Sequence, residues 1–572
     1  ARASEGTRGR YLAALRSAAA DVLAAASEME RATTTETRRA AVMAVRKAAP
    51  RGWVEWLVIL LPKPGKALDV LCKRRDICLQ PHSLKLLMNG FAPAYSEAQR
   101  EAQPAANTGF RPVSSAPMSG LVLGLTREEA VGERQPWYRG YVDKGGFFQS
   151  IARRVQRNAE ARCGVPVDVT SVVLALHESL VVRYDSGVGL THGTESDVGV
   201  GQGDVEGPPR SMITLGIETR AVEWLVAGQC FRAPRGVRRT RVPQVWFCDD
   251  GAFCASSFSA LQTTFTVVSV MARLLGFVVG IDTNADGTPN GDKTGWTGAE
   301  WDGTKYAEVG DEASVWLVDG RQVPRAANWY KHLGVRAQAA CSWAAARKVV
   351  VARCTSVAVA LARLGVLTAE EYVEAADVAT TSVVAYYGAI FPLGKAACDE
   401  IDVAKRRGLA MLGHTGPRAA RWLVHAPRPE GLGMAVTWAH ASAALVVEVG
   451  RALDAAGDVP AHVAVAARTA KEYWRLGWRP TAAAPVPMAW NPWHAMGVLA
   501  EEGIIEAALL YRMLAGVETR AAAGDGEADP LSDGYRLPER EDEGDASVWE
   551  VEGRAFGWRL ARLGGVQLRQ FY

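Results

Sequence analysis

The stretch VWFCDDGAF, residues 245–253, places two adjacent aspartates, Asp249 and Asp250, inside a run of Val, Trp, Phe, Cys and Ala. Two unit charges ~4 Å apart repel by roughly 4 kcal/mol at an effective dielectric of 20, so a half-buried acidic pair needs compensation. The flanking residues are typical of β-strands, which predicts a hairpin with both carboxylates at its tip. A divalent cation is the natural partner of such a pair, because it offsets the repulsion that otherwise forces one carboxylate to protonate.

A second candidate ligand segment lies earlier in the chain. Asp143 ends the apolar run YRGYV, and two glycines follow shortly after it, which allows the backbone to turn closely around a ligand. A lone aspartate in such a place is usually a turn or cap residue. Mg²⁺, however, takes oxygen ligands and commonly bridges carboxylates to a substrate phosphate. Two strand-end acidic sites therefore predict a pair of ions ~4 Å apart, as used for in-line phosphoryl transfer. We expect Mg²⁺, with Mn²⁺ as the alternative ion.

Bulk properties narrow the class of protein. At 572 residues, the chain exceeds what one hydrophobic core usually supports. The net charge is only +3, yet basic residues cluster at 72–75 and 231–242, and acidic residues cluster between Glu518 and Asp545. Nine cysteines without a Cys-x-x-Cys pair argue against a disulfide scaffold or a zinc site, and favour a reducing compartment. No apolar run reaches the ~20 residues that a membrane helix requires, so we expect no membrane partner.

The hydrophobic pattern changes along the chain. Residues 1–52 carry apolar positions at helical spacing, which predicts an N-terminal helical extension. The segment 53–66 then becomes continuously apolar, as a strand entering a buried sheet does, and a mixed α+β region follows to about residue 335. From 338 to 517, Ala-rich and Leu-rich periodic segments predict helices throughout. Residues 518–572 are rich in charge, Gly and Pro, which predicts a disordered linker and tail.

Several segments, taken in order, resemble a reverse transcriptase, most closely the non-LTR (LINE-type) retrotransposon kind. The matching segments are LPKPGK with RRDICLQPHSLKLL for the fingers, VDKGGFF for the first palm motif, GQGDVEGPP for the Gln-Gly-x-x-x-Ser-Pro element, FCDD for the aromatic-x-Asp-Asp hairpin, GDKTG for the palm lysine and NWYKHLGV for the primer grip. Phe-x-Asp-Asp alone is weak evidence, but several motifs in family order are specific. The segment GVGQGDVEG does not match the dinucleotide-binding motif Gly-x-Gly-x-x-Gly, because its last glycine comes one residue later than the motif requires.

The resemblance implies a right-hand polymerase of the α+β class. Fingers would span residues 53–140. The palm, with an antiparallel sheet and interleaved fingers helices, would span 141–337, and a helical thumb would span 338–517. The function implied is RNA-directed DNA synthesis.

Family membership also implies roles at the metal centre and the primer. Asp143 and Asp249 would hold two Mg²⁺ ions, with Asp250 adjacent and Val142 among the ligands. The primer end would be gripped by three consecutive residues: Trp329, Tyr330 and Lys331.

The nucleotide would be bound by a further set of residues. Arg75 would hold the triphosphate, since a guanidinium fork matches phosphate oxygens bidentately, and Lys63 would assist it. Gln202 and Gly203 would lie against the nucleotide and the template base. Phe148 would fill the space that a 2′-hydroxyl needs, its alternative role being an ordinary core aromatic. Lys293 would lie close to the pyrophosphate.

The sequence departs from the family pattern at three positions. Asp76 replaces the usual Pro beside the triphosphate arginine, which puts nucleotide affinity in doubt. Gly207 replaces the usual Ser, and His332 the usual Tyr of the primer grip. None of these changes touches the metal carboxylates, so we expect a working catalyst.

The implied partners are template RNA, primer or target DNA, and deoxynucleoside triphosphates. The basic stretch 231–242 would track a phosphate backbone, and such binding weakens steeply with salt. No nuclease motif is visible, so an endonuclease for target priming would come from outside this chain. The family implies a nuclear location, and the composition otherwise fits the cytoplasm.

Three rival functions remain open. A group II intron-type maturase shares the palm and would bind a structured intron RNA. A domesticated, non-catalytic nucleic-acid-binding protein would bind RNA without extending a primer. An RNA-dependent RNA polymerase is the third rival, and Phe148 argues against it.

Overall fold

The structure is a computed structural model, and it describes residue 464 and residues 5–454 with gaps. The gaps are residues 63–73, 112–113, 186–188, 197–198, 232–239, 284–288, 291–292, 311, 327–328, 339–342, 392, 416–423 and 426–430. Lys63, most of the basic stretch and the charged tail 518–572 therefore lie outside the described residues. So does all of 455–517 except residue 464.

Helices occur along the whole described chain, from Glu5 to Asp454. They are α1 (Glu5–Arg31), α2 (Thr35–Ala48), α3 (Arg51–Val54), α4 (His82–Ala102), α5 (Ala116–Gly132), α6 (Phe147–Ser150), α7 (Arg153–Arg162), α8 (Val167–Glu178), α9 (Gly207–Leu225), α10 (Phe258–Leu275), α11 (Ala344–Arg363), α12 (Ala369–Gly388), α13 (Lys395–Met411) and α14 (Thr437–Asp454).

The described strands lie between Glu55 and Gln338 and alternate with helices. They are β1 (Glu55–Pro62), β2 (Arg74–Leu79), β3 (Trp137–Val142), β4 (Lys144–Gly145), β5 (Val181–Asp185), β6 (Thr194–Glu195), β7 (Gln229–Phe231), β8 (Thr240–Val242), β9 (Gln244–Phe247), β10 (Asp250–Ala255), β11 (Val278–Val279), β12 (Asp282–Thr283), β13 (Pro289–Asn290), β14 (Gly295–Trp301), β15 (Tyr306–Glu308), β16 (Val315–Trp316), β17 (Gln322–Val323), β18 (Trp329–His332) and β19 (Val335–Gln338).

The first unit is a four-stranded sheet in the order β2-β1-β5-β6, covered by helices. The strand predicted from residue 53 is present as β1, and it pairs in parallel with β5 far along the chain. The predicted N-terminal helices are present as α1 and α2, and the side chain of Thr34 caps α2 by accepting from the Thr37 amide. Their buried residues, such as Val22 and Val45, share one core with Trp53 of the sheet unit.

The second unit is a five-stranded sheet in the order β15-β14-β3-β10-β9. Its central strand, β3, is buried along its whole length. Helix α10 packs closely on it, since a Cβ at Gly140 would lie 2.8 Å from the Phe265 ring. Among the described residues, α10 alone is long and apolar enough to cross a membrane. Because Leu261, Phe265 and Val268 are buried in the sheet's core, α10 behaves as a core helix.

Helices α11 to α14 form the last unit, which agrees with the helices predicted beyond residue 338 as far as the structure describes them. Thr368 caps α12 through a reciprocal pair of hydrogen bonds with Glu371. Residues such as Val350 and Phe391 form a core of this unit, distinct from that of the sheet.

Candidate active site

The antiparallel sheet brings three aspartates to one edge. In the pairing of β10 with β3, Gly251 lies opposite Val142. Asp250 and Asp143 are the next residues on each strand, so both lie just beyond this pair. Asp249 lies in the turn between β9 and β10, and Asp250 begins β10 opposite Phe247, so the predicted hairpin is present with one acid in its turn and the other at the adjoining strand end. Segments more than a hundred residues apart thus converge on one carboxylate cluster.

A separate chain segment supports the hairpin from outside the sheet. The Trp246 amide of β9 donates to the Ala106 carbonyl at 2.8 Å, and the Thr108 amide donates back to the Trp246 carbonyl at 2.9 Å. The turn itself contains Cys248 in a left-handed conformation (φ 56°), which non-glycine residues seldom adopt. Such strain persists only where neighbouring contacts hold it. Residues 106–109 provide those contacts.

Two carboxylates of the cluster, those of Asp249 and Asp250, resist ionisation. Burial raises the pKa of Asp249 to about 6, and the charge of Asp143 adds to that rise, while Lys293 opposes it. Burial, followed by the charges of Asp249 and Asp143, raises the pKa of Asp250 to about 7. Neighbouring carboxylates that repel one another in this way are relieved by a cation. Carboxylate oxygens are the donors that Mg²⁺ and Mn²⁺ prefer, so the residues present fit such ions.

A lysine lies in the same site. The Lys293 ammonium is 3.3 Å from Asp143 Oδ2 and is partly exposed. The Asp143 amide donates to Thr294 Oγ1 at 3.2 Å, and the Tyr330 hydroxyl donates to the Lys293 carbonyl. The predicted palm lysine is therefore next to the aspartates, where its charge offsets part of theirs.

Three of the predicted nucleotide-binding residues, Arg75, Gln202 and Gly203, lie on or against strand β2. Arg75 is exposed on this strand. Three residues later, the Cys78 amide donates to the Gln202 carbonyl at 2.8 Å. Gly203 has a φ of 116°, and a Cβ there would lie 2.8 Å from the Cys78 carbonyl oxygen. The turn containing Gln202 and Gly203 therefore docks on the strand that presents Arg75, and only glycine fits its second position.

Phe148 links this turn to the aspartates. Its carbonyl accepts from the Val200 amide at 2.8 Å, two residues before Gln202. Its ring is partly buried and meets the Phe147 ring edge-on, with centroids 5.2 Å apart. Gly146, with a φ of 59°, makes the turn that separates it from Asp143. Phe148 thus ties the segment after Asp143 to the segment before Gln202 through its backbone, while its ring packs on the core.

The predicted primer-grip residues form the hairpin β18–β19, but they do not share one environment. The Tyr330 ring is buried and stacks on Tyr141 of β3 at 3.8 Å, with an interplanar angle of 3°. Tyr330 therefore anchors the hairpin to the sheet and does not present its ring to a primer. Lys331 is exposed, and nothing is described of the Trp329 side chain. His332 is buried, and burial lowers its pKa to about 3.

Sequence reasoning missed a buried polar cluster behind the Gln202 turn. His177 accepts from Arg210 at Nδ1 and faces Glu206 Oε1 with Nε2, both at 3.3 Å. An arginine always donates, so the ring proton lies on Nε2 and points at Glu206. Asp204 Oδ2 accepts from the Gly201 amide at 2.7 Å, which fixes the turn. With both ring nitrogens engaged, His177 has no lone pair left for a cation.

Sequence reasoning also missed an ion pair between Lys144 and Glu218, whose Nζ and Oε1 atoms are 2.6 Å apart and fully buried. Two signals were visible in the sequence. Lys144 is the second residue after an apolar strand, and Glu218 interrupts the apolar pattern of α9. Charged residues inside buried elements are almost always paired.

The raised pKa values predict a dependence of stability on pH. In unfolded chains these aspartates titrate near 3.8, against about 6 and about 7 in the folded, cation-free protein. The folded state therefore binds protons more tightly. The pair's contribution to the free energy of unfolding falls as pH rises from about 4 to about 7. Mg²⁺ should raise Tm more at about pH 8 than at about pH 5, because it binds the ionised carboxylates.

Thermal unfolding of the wild type and Asp249→Asn, with and without Mg²⁺, checks this expectation. The variant should lose part of the pH slope and most of the Mg²⁺ effect. Equal Mg²⁺ shifts in both proteins would place the cation elsewhere.

Comparison with solved structures finds similarity to two telomerases, from Candida tropicalis and Candida albicans, each in complex with the TWJ fragment of telomeric RNA. The matches cover 72% and 75% of this chain at 10% sequence identity, with TM-scores of 0.32 and 0.33. This chain spans 64% of the length of each telomerase chain, a little under two thirds. No protein-family model matches the sequence, and no curated protein matches it.

Proposed function

We propose that this chain is an RNA-directed DNA polymerase of the non-LTR retrotransposon kind, which adds deoxynucleotides to a primer 3′-hydroxyl. The observation that carries the proposal is the meeting of Asp143, Asp249 and Asp250 at one edge of an antiparallel sheet. When bound there, two Mg²⁺ ions, or Mn²⁺, would activate the primer hydroxyl and neutralise the leaving pyrophosphate. The motif order in the sequence supports the finer assignment.

The chain's own residues would divide the remaining work. Asp143 and Asp249 hold the cations, and Asp250 supports them. Arg75 binds the triphosphate, kept in place by the Gln202 turn docked on its strand. Lys331, exposed on the hairpin anchored by Tyr330, contacts the primer phosphates.

The partners proposed are template RNA, primer or target DNA, and deoxynucleoside triphosphates. Priming from a nicked chromosomal target would need an endonuclease from outside this chain and a nuclear location. Both proposals rest on the sequence motifs alone.

Primer extension on poly(rA)/oligo(dT) with dTTP and Mg²⁺ tests the function directly. We expect incorporation that stops when Mg²⁺ is chelated. If purified protein bound the RNA but incorporated no dTTP, the chain would be a non-catalytic nucleic-acid-binding protein. If the protein bound a structured intron RNA specifically, the maturase reading would be favoured.

Phe148→Ala tests the choice of sugar. If the ring fills the space of a 2′-hydroxyl, its removal should raise ribonucleotide use relative to deoxynucleotide use by about tenfold or more. Paired rUTP and dTTP extension rates measure the ratio. Phe258→Ala, at the start of α10, is the matched control and should leave the ratio unchanged. An unchanged ratio in Phe148→Ala would leave Phe148 as a core aromatic only.

A further inference from the structure

We propose that Lys144 and Glu218 are positioning residues: their buried ion pair fixes the backbone that carries Asp143 against the hairpin that carries Asp249, and so sets the cation-binding geometry. This inference rests on the proposed function, because it assumes that the aspartates bind cations. Neither residue touches the reacting atoms, and both act through the chain segments they join.

The contacts of the pair restrict both side chains. The Lys144 ammonium lies 2.6 Å from Oε1 and 2.7 Å from Oε2 of Glu218, so both carboxylate oxygens are engaged. Both side chains are completely buried. The ammonium also lies 5.7 Å from the centroid of the Trp246 ring and 5.2 Å from that of Phe277. Two hydrogen bonds and two aromatic contacts together restrict the lysine ammonium to one position.

That position joins the segments that form the candidate site. Lys144 directly follows Asp143, and its strand β4 pairs with β11, where Val279 lies opposite it. Trp246 belongs to β9, which leads into the turn with Asp249. Glu218 belongs to α9, the helix that begins shortly after the Gln202 turn. A shift of this pair would therefore move the Asp143 segment relative to the other two.

Stability alone does not explain such a pair. Removing two charges from water is costly, and buried ion pairs replaced by apolar residues of similar size often leave stability unchanged or higher. An apolar pair, however, has no directional contact, whereas an ammonium held by two carboxylate oxygens fixes distance and orientation. The geometry therefore indicates that the pair contributes by holding the adjacent residue, Asp143, in place.

The test compares Lys144→Met/Glu218→Leu with the wild-type full chain. Mn²⁺ binding is followed by the electron paramagnetic resonance signal of the free ion, alongside Tm and dTTP kinetics. We expect a Tm close to or above that of the wild type, Mn²⁺ affinity reduced about tenfold, and kcat reduced about tenfold with KM for dTTP unchanged, since small misplacements of catalytic groups act on rate. Glu218→Gln, which keeps the shape of the pair, should show smaller losses in the same direction.

Val350→Ala controls for general destabilisation, because Val350 lies in the separate helical core. It should lower Tm and leave Mn²⁺ affinity unchanged. If the double variant does not fold, the Mn²⁺ affinity and kcat of Glu218→Gln test the positioning role instead. Wild-type Mn²⁺ affinity and kcat in a folded variant of the pair would overturn the positioning role.

Failure of the proposed function is distinguishable from failure of this inference. A wild type that extends no primer contradicts the polymerase, yet Mn²⁺ binding still reports on the pair. A wild type that binds no Mn²⁺ overturns both.

Discussion

Asp249→Asn should abolish primer extension while leaving the protein folded. The amide keeps the size of the carboxylate but removes the charge that, in the proposed function, holds a cation at the hairpin turn. A bound metal contributes several kcal/mol to stabilising the transition state. A loss of about 4 kcal/mol corresponds to about 10³-fold in rate. Without Mg²⁺, the Tm of the variant should equal or exceed that of the wild type, because a buried carboxylate that resists ionisation has been removed.

Single-turnover extension and thermal unfolding measure the two outcomes together. Asp168→Asn is the matched control, since Asp168 is exposed in the first turn of α8 and carries the same change of charge. It should extend primers at the wild-type rate. Retention of most of the activity by Asp249→Asn would show that the hairpin acid is not a metal ligand, and the polymerase proposal would fail.

Gly109→Ala should impair both stability and activity. A Cβ at Gly109 would lie 2.2 Å from the Cys248 amide nitrogen and 2.7 Å from its Cα. These are backbone atoms of the hairpin turn, so no side chain can rotate away to make room. Overpacking of this kind costs about 1–3 kcal/mol in the free energy of unfolding. A displacement of about 1 Å at a catalytic group costs on the order of a hundredfold in rate, and Asp249 follows Cys248 directly.

Gly90→Ala is the matched control for this change. Gly90 is exposed within α4, and nothing lies within 4 Å of a Cβ placed there. Alanine should raise the free energy of unfolding by about 0.5–1 kcal/mol, since glycine is the poorer helix former. Denaturant unfolding and primer extension on both variants give the comparison. Wild-type rates in a folded Gly109→Ala protein would show that segment 106–109 does not position the turn.

Much of the local structure was predictable because it depends on local patterns. Alternating and continuous apolar runs indicated β1 and β3, and helical spacing indicated α1 and α2 as well as the helices beyond Ala344. The Asp-Asp pair between two β-type flanks indicated the hairpin. In each case the residues that decide the structure are neighbours in the chain.

For other residues, the surroundings of the side chain in the structure changed the predicted role. Tyr330 was expected to face the primer, but Tyr141, which lies far earlier in the chain on β3, offers a flat ring on which it stacks. Strand alternation states which residues share a face. It does not state which distant ring covers that face.

The sequence by itself identified the residues that we propose to bind cations and phosphates, and it predicted that Asp143 and Asp249 each stand at the end of a strand. Only the tertiary structure decided that these strand ends meet, that Gly109 presses on the hairpin turn, and that Lys144 is paired with Glu218. The physical reason is that such contacts join residues far apart in the chain. Their partners are selected by the packing of the sheet and its helices, and no short-range pattern records that selection.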